Sequence, residues 1–257
     1  MKESTLTLRE KLISAKEAGY DFLELSIDET DKKLSRLEWN QDQRTAALRD
    51  MRESGLSIRS ICLSGHRKYP LGHPDPAVQE RSLRIMAGAI RLAEDLGIRI
   101  IQLAGYDVYY EEGSEKTRAD FARNLQLATD MAAKEGIMLG FETMETPFMD
   151  NVQKAMDYVK KIDSPYLGVY PDSGNITNAA LLYNDDVTED LKRGKGHIVA
   201  VHLKETVPGK YREIPFGTGH VDFEQVIKTS WELGVRRYVA EFWYLDGQDY
   251  KAELKKA

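Results

Sequence analysis

The sequence predicts an α/β fold of the TIM (β/α)8-barrel type, because short apolar segments alternate with longer amphipathic ones along the chain. The apolar segments are rich in Ile, Val and Leu, as buried parallel strands are. A second observation is that metal-ligand residue types stand at the ends of four successive apolar segments. The predicted strands are residues 22–27, 57–63, 98–104, 137–143, 167–171, 198–204 and 237–243.

The amphipathic segments repeat apolar residues at three- and four-residue spacing, which indicates helices. They are residues 8–18, 41–54, 76–96, 116–135, 152–161 and 223–233. A glycine follows most of them, and glycine is the usual residue where a helix ends in the left-handed backbone conformation. Because no low-complexity linker interrupts the pattern, we predict one barrel domain over residues 1–257.

The first predicted element is a helix, and only seven strands are readable, whereas an eight-stranded barrel needs one more. A doubly wound open sheet would remove this difficulty, but it places its site at one switch point of the strand order. Polar residues at four successive strand ends favour the barrel, in which all strand ends meet at one mouth.

The composition is ordinary for a soluble globular protein, with 42 % hydrophobic and 30 % charged residues in 257. The formal net charge of −6 argues against nucleic-acid binding, which usually requires a basic face. Cys62 is the only cysteine, which excludes an internal disulfide and favours a reducing compartment. Since no segment has the character of a signal peptide or a membrane span, we expect a cytoplasmic protein without membrane partners.

Glu142, Asp172, His202 and Glu241 form the predicted metal site, about one β–α repeat apart from one another. Three carboxylates and one imidazole suit one divalent ion such as Mn²⁺, Zn²⁺ or Mg²⁺. The alternative is four unrelated polar residues at strand ends, some of them in ion pairs. His197 is a competing ligand, but it stands at the start of its strand, so we favour a structural role.

Two loops carry candidate substrate contacts. The loop after His202 contains Lys204 and Arg212, followed by Gly217, Thr218 and Gly219 just before a helix, and a glycine-rich helix N-terminus is suited to a phosphate. An ordinary loop with solvated charges is the alternative. His66, after the second strand, is either a substrate contact or a satisfied loop histidine, and we favour the contact.

Several long segments closely resemble the L-ribulose-5-phosphate / L-xylulose-5-phosphate 3-epimerases of the xylose-isomerase-like barrel superfamily, from about Leu8 to Trp243. They are SIDETDKKLSRLEW, CLSGHRKYPLG, IRIIQLAGYDVYYEE, ETMETPFMDN, YPDSGNITNA, VAVHLKETVPGKYREIPFGTGHVDF and AEFW. The resemblance implies a TIM barrel with one divalent metal on the four residues above.

The resemblance also implies functional roles. Glu142 and Glu241 would transfer protons at C3 of the pentulose phosphate through a cis-enediolate, in pentose and L-ascorbate catabolism. Asn175, Glu205 and Arg212 would contact sugar hydroxyls, and the protein would be a homodimer. Members usually begin with a short strand and end with a full helix that this chain lacks. We therefore expect a chain trimmed at both ends or a wrongly assigned start.

Three other functions stay open at this point. An aldose–ketose isomerase would use the same metal site but move the proton between C1 and C2. A repair endonuclease of the same barrel type would need more histidines than the five present and a basic face. A non-catalytic barrel would bind neither metal nor sugar.

Overall fold

The computed structural model describes residues 6–244 and 247–257 as a series of parallel strands and helices. The strands are β1 (Phe22–Ser26), β2 (Ser57–Leu63), β3 (Ile100–Ala104), β4 (Met138–Glu142), β5 (Leu167–Tyr170), β6 (Val201–Leu203) and β7 (Tyr238–Ala240). The helices are α1 (Leu8–Ala18), α2 (Asp31–Leu34), α3 (Gln41–Ser54), α4 (Pro76–Leu96), α5 (Glu115–Lys134), α6 (Val152–Ile162), α7 (Ser173–Tyr183), α8 (Val187–Arg193), α9 (Phe223–Glu232) and α10 (Tyr250–Lys256). Each predicted strand is present, and most are shorter than predicted.

The strands form two parallel sheets. Strands β1 to β5 pair in sequence order, and β6 pairs with β7. Between the sheets lie two isolated parallel bridges, Val169 with Ile198 and Asp172 with His202. Sequential parallel order with intervening helices is the organisation that the apolar periodicity predicted.

The larger sheet curves until its first strand faces the smaller sheet. Glu24 in β1 lies 2.8 Å from the His202 ring in β6, and the Tyr170 hydroxyl of β5 donates to Glu24 at 3.0 Å. Within the described ranges, no strand pairing joins β7 to β1. On that side the helices α1 and α10 are in contact, and Lys251 of α10 lies 3.4 Å from Glu17 of α1.

Local signals fix the ends of the helices. Thr7 and Asn40 each form a capping box at the start of α1 and α3, and Asp75 caps α4 ahead of Pro76. The glycines at the ends of these three helices adopt positive φ, which relieves the steric cost of the turn. These caps explain why the predicted bounds of the three helices agree with the structure.

The core lies between the helices and the outer side of the larger sheet, while the inner side carries polar groups. β3 and β5 are buried along their whole length, and Ile61, Leu139 and Val169 have no exposed surface. None of the described helices combines the length and the apolar character needed to cross a membrane. The apolar shell therefore serves to position the polar interior described next.

Candidate metal centre and active site

The four predicted metal ligands converge at the carboxyl ends of β4 to β7. One potential ligand atom from each of Glu142, Asp172, His202 and Glu241 lies within 4.8 Å of the others. Glu142 ends β4, Asp172 follows β5, His202 lies inside β6, and Glu241 follows β7. His197, the competing ligand from sequence, does not belong to this group.

Asp172 is held by the start of α7. One oxygen accepts a hydrogen bond from the Asn175 amide at 2.7 Å as the helix N-cap, and the Asp172 amide donates to the Thr143 hydroxyl at 2.9 Å. The other oxygen, Oδ2, is 3.0 Å from the Lys204 ammonium but has no hydrogen bond of acceptable geometry among the described residues. This oxygen of a fully buried carboxylate therefore faces a cationic group, Lys204, on the side of the metal-ligand group.

His202 stands at the centre of the group. Its Nδ1 lies 2.9 Å from Glu142 Oε1 and 3.2 Å from Glu241 Oε2. The other oxygen of Glu142 accepts a hydrogen bond from the Gln102 side chain in β3. The imidazole therefore turns one nitrogen towards the carboxylates of two different sheets.

The charges in this buried space disturb one another's pKa values. Burial raises the pKa of Glu142. Burial also raises the pKa of Asp172, to about 7, because the nearby Glu241 and Glu142 carboxylates add to it and the opposing effect of Lys204 is smaller. For Glu241, burial opposes the effects of Lys204 and His202, which lower its pKa overall. Burial also disfavours the charged form of His202, but Glu24 and Glu142 raise its pKa well above 6.5. The excess of acidic groups is the environment that a divalent cation would relieve.

Lys204 and Asn175 lie beside the group and are buried with it. The Lys204 ammonium donates to the side-chain oxygen Oδ1 of Asn175 at 2.8 Å, and the side-chain nitrogen Nδ2 of Asn175 donates to the Thr143 carbonyl oxygen at 2.7 Å. The nearby charges of Asp172 and Glu241 outweigh burial and raise the pKa of Lys204. Lys204 is thus a fixed positive charge beside the metal-ligand group.

Glu205 organises the glycine-rich loop. Its carboxylate accepts hydrogen bonds from the amides of Gly217 at 3.1 Å and Val221 at 3.2 Å. A Cβ at Gly219 would lie 2.0 Å from the Thr206 carbonyl oxygen and 2.4 Å from Glu205 Oε1. The Thr218 hydroxyl donates to the Pro215 carbonyl oxygen at 2.7 Å. A carboxylate of the protein therefore already occupies part of the predicted anion site.

Arg212 lies in a more open position. Its guanidinium donates to Glu145 Oε1 at 2.6 Å, and the Tyr106 and Tyr109 hydroxyls donate to the same carboxylate at 3.0 and 3.3 Å. The Arg212 side chain is 43 % exposed, so a molecule in solvent can reach it. No motif in the sequence points to Glu145 as a site residue, although it lies in the segment ETMETPFMDN.

The hydrogen bond of the His66 ring is to helix α4 and not to the metal-ligand group. The ring is 4 % exposed, and Nε2 lies 3.2 Å from the Ser82 carbonyl oxygen of α4. Burial lowers the pKa of His66 to about 4. Its role as a substrate contact stays a prediction.

Glu24 is a second site residue to which no motif in the sequence points. Its carboxylate touches His202 from the side opposite the metal-ligand group, and Ser60 and Tyr170 donate to it. The only signal in the sequence is an acidic residue within the apolar segment FLELSI, which carries no information about its partner across the barrel.

Comparison with known proteins agrees with this architecture. Residues 12–254 match the family described as "Xylose isomerase-like TIM barrel". The chain is 44 % identical over 248 residues to L-ribulose-5-phosphate 3-epimerase UlaE of Salmonella heidelberg (strain SL476), covering 96 % of this chain and 86 % of the relative. The protein of the same name in Escherichia coli O139:H28 is also 44 % identical over 249 residues, with the same coverage.

Solved structures of lower identity share the fold. A 3-keto-D-glucoside 4-epimerase, YcjR, from E. coli superposes with a TM-score of 0.79 at 16 % identity, covering 99 % of this chain and 95 % of that one. A structure of an L-ribulose 3-epimerase superposes with a TM-score of 0.75 at 19 % identity, covering 97 % and 85 %. The predicted barrel class is thereby confirmed. The chain is an isomerase of the xylose isomerase-like TIM barrel family and belongs, within it, to the group that includes the L-ribulose-5-phosphate 3-epimerases.

Proposed function

We propose that this protein is a metal-dependent 3-epimerase that interconverts L-ribulose 5-phosphate and L-xylulose 5-phosphate. The observation that carries the proposal is the approach of Glu142 and Glu241, from strands of different sheets, to within 2.9 and 3.2 Å of the same His202 nitrogen. Inversion at carbon needs an acid and a base on opposite faces of the substrate. The names of the relatives at 44 % identity supply the expected substrate.

Glu142, Asp172, His202 and Glu241 would hold one divalent ion, of the Mn²⁺, Zn²⁺ or Mg²⁺ class. Two observations support this fit. Asp172 Oδ2 and Glu241 Oε2 are buried without a hydrogen bond of acceptable geometry, and three carboxylates surround one imidazole. Such a donor set suits a borderline or hard divalent cation. When bound, the ion supplies Lewis-acid polarisation of the substrate carbonyl.

The two glutamates do the proton chemistry in this proposal. One carboxylate removes the C3 proton, and the electron pair of the broken C–H bond moves into the substrate to give a cis-enediolate. The other glutamate, protonated at the start, returns a proton to C3 from the opposite face. Each turnover leaves the two side chains with exchanged protonation states, so the reverse reaction follows the same path. Lys204, fixed 3.0 Å from Asp172, adds positive charge beside the developing negative charge.

Arg212 is the strongest candidate for direct substrate binding. Its side chain is partly exposed and paired with Glu145, so it could exchange that partner for a hydroxyl or phosphate oxygen of the sugar. Further contacts from buried and loop residues belong to the same proposal. They are His66, Asn175, Lys204, Glu205, Gly217, Thr218 and Gly219.

The proposal extends to the cellular setting of the enzyme. We place the enzyme in the cytoplasm, as a homodimer that acts in L-ascorbate and pentose catabolism. Leu181 and Leu182 on α7 are 61 % and 68 % exposed, which suits a surface covered by a second subunit. Light scattering of the purified chain tests the dimer, and a monomer at micromolar concentration would contradict it.

The decisive experiment is incubation of the Mn²⁺-treated protein with L-ribulose 5-phosphate in D₂O, followed by quenching, metal removal and NMR of the sugar. Deuterium at C3 together with L-xylulose 5-phosphate is the expected result. Deuterium at C1 with an aldose product would indicate an aldose–ketose isomerase. No exchange in a folded, metal-binding protein would reject the proposed substrate.

A further inference from the structure

Glu24 is a buried carboxylate that the proposed proton chemistry does not use. Its side chain is only 8 % exposed, and a register shift in the β1–β2 pairing falls directly before it, between Leu23 and Glu24. Shifts of this kind re-aim a side chain relative to a regular strand. Here the carboxylate points across the barrel to β6, which contains His202.

Both oxygens of Glu24 are engaged. Oε1 lies 2.8 Å from His202 Nε2, and Oε2 accepts hydrogen bonds from the Ser60 hydroxyl at 2.5 Å and the Tyr170 hydroxyl at 3.0 Å. A buried carboxylate is costly unless it is fully hydrogen-bonded, and these donors come from two further strands, β2 and β5. The carboxylate is therefore fixed in position and orientation before anything binds.

The two nitrogens of the His202 ring face different partners. Nδ1 points to the metal-ligand carboxylates, and Nε2 points to Glu24. A neutral imidazole carries its proton on one nitrogen and offers a lone pair on the other. Only the form protonated on Nε2 can present the Nδ1 lone pair to a cation, and a carboxylate next to Nε2 stabilises that form.

We propose that Glu24 is a positioning residue that holds His202 as the Nε2-protonated ligand and thereby sets the affinity of the site for its divalent ion. The proposal rests on the proposed function, since it needs a metal at Glu142, Asp172, His202 and Glu241. Ser60 and Tyr170 act one step further out, by orienting Glu24. The alternative is that Glu24 only neutralises a buried histidine and contributes to folding.

The test is calorimetric titration of Mn²⁺ into the metal-stripped full chain, with Glu24→Gln compared to the unchanged protein. Glutamine keeps the size of the side chain but removes the charge that favours the Nε2 proton. We expect the Kd to rise about 10- to 100-fold, as for other changes in the groups that orient metal ligands. The matched control is Asp120→Asn, a buried carboxylate whose partners Lys116, Arg123 and Gln79 lie on α4 and α5. That variant should bind Mn²⁺ like the unchanged protein.

A second readout separates positioning from folding. With ¹⁵N-labelled histidine and Zn²⁺, the unchanged protein should show a metal-bound Nδ1 and a protonated Nε2 for His202, and Glu24→Gln should alter the Nε2 signal. If Glu24→Gln does not fold, Tyr170→Phe takes its place and should weaken Mn²⁺ binding by a smaller factor. Equal Mn²⁺ affinity of the unchanged protein and the folded variant would overturn this inference and leave the proposed function intact. Failure of the unchanged protein to bind any divalent ion would instead reject the proposed function.

Discussion

The two β-sheets that share the metal-ligand group differ in size and in burial. In the larger sheet, β3 and β5 are buried at every residue, whereas all three residues of β7 in the smaller sheet are partly exposed. Glu142 and Asp172 lie at the ends of strands of the larger sheet, whereas His202 lies in the smaller sheet and Glu241 follows its second strand. The ligand group therefore lies at the seam, the boundary between β5 and β6 where the well-buried larger sheet meets the more exposed smaller sheet.

This difference shows how the site depends on the fold. The chain links β5 to the smaller sheet through a few backbone contacts, such as the Val169 amide to the His197 carbonyl oxygen at 2.8 Å and the Val199 amide to the Val169 carbonyl oxygen at 2.9 Å. Any change in the relative position of the sheets also changes the distance between Glu142 and Glu241. Proton transfer from both faces of a substrate thus requires an intact seam.

The largest effect should come from removing one acid–base group on either side of the seam. We expect Glu142→Gln and Glu241→Gln each to lower kcat by about 10²- to 10⁴-fold at saturating Mn²⁺, since each removes one proton-transfer group. The measurement is steady-state epimerisation together with C3 deuterium exchange.

Glu145→Gln provides the contrast, because Glu145 contacts Arg212 and is not part of the metal-ligand group. It should change KM more than kcat. Near-normal turnover in both glutamine variants of the metal-ligand group would contradict two-sided proton transfer. A loss confined to one side of the seam would mean that a single group serves both faces.

One pH effect should arise from His66, which follows β2 of the larger sheet. Burial lowers its pKa to about 4 in the folded chain, from 6.5 as the ordinary value. Between these values His66 binds more protons in the unfolded chain, so its contribution to the free energy of unfolding falls as the pH decreases from about 6.5 to 4. Asp172, with its raised pKa, contributes in the opposite direction, so the effect of His66 is the difference between the unchanged protein and a variant without this histidine. The full contribution of this group is on the order of 3 kcal/mol. Denaturant unfolding of the metal-free protein across this range measures it.

The comparison variant for this pH effect is His66→Gln, which keeps a hydrogen-bond donor for the Ser82 carbonyl oxygen but does not titrate. Its unfolding free energy should depend less on pH than that of the unchanged protein over the same window. Parallel pH profiles for the two proteins would show that His66 is not held neutral by burial. A rise in KM with an unchanged pH profile would favour the substrate contact expected from sequence.

Local signals explain how much of this architecture the sequence predicted. Capping residues and terminal glycines fixed the bounds of α1, α3 and α4, and apolar runs located all seven strands. The four metal-ligand residues were found because the β–α repeat spaces them regularly. In contrast, α7 and α8 were not identified, since α7 starts with the loop-like residues Ser-Gly-Asn and is recognisable only from its Asp172 cap.

Contacts across the barrel were beyond the reach of the sequence. Glu24 and His202 are 178 positions apart, and no periodicity connects the middle of β1 with β6. The contact of Glu205 with the sugar stays a prediction, and the hydrogen bonds of its carboxylate with the amides of its own loop carry no signal in the sequence. Such partners are set by the curvature of the sheet and the path of a loop, which depend on packing of the whole chain.

The smallest effect should come from widening the seam itself. A Cβ at Gly168 in β5 would lie 2.4 Å from the His197 carbonyl oxygen, a backbone atom that cannot move without shifting the segment that leads into the smaller sheet. A Cβ at Gly140 in β4 would lie 2.5 Å from Val199 Cγ2, the end of a side chain that can rotate. Gly168→Ala should therefore lower the free energy of unfolding by about 1–3 kcal/mol, and Gly140→Ala by less.

The same two variants test whether seam geometry reaches the site. Gly168→Ala should also weaken Mn²⁺ binding, because it moves the sheet that carries Asp172 away from the sheet that carries His202, whereas Gly140→Ala should change the affinity little. Unfolding curves and calorimetric Mn²⁺ titrations of both proteins give the two quantities independently. If Gly168→Ala lost stability but bound Mn²⁺ as tightly as the unchanged protein, the ligand group would be held by its own contacts and not by the spacing of the sheets.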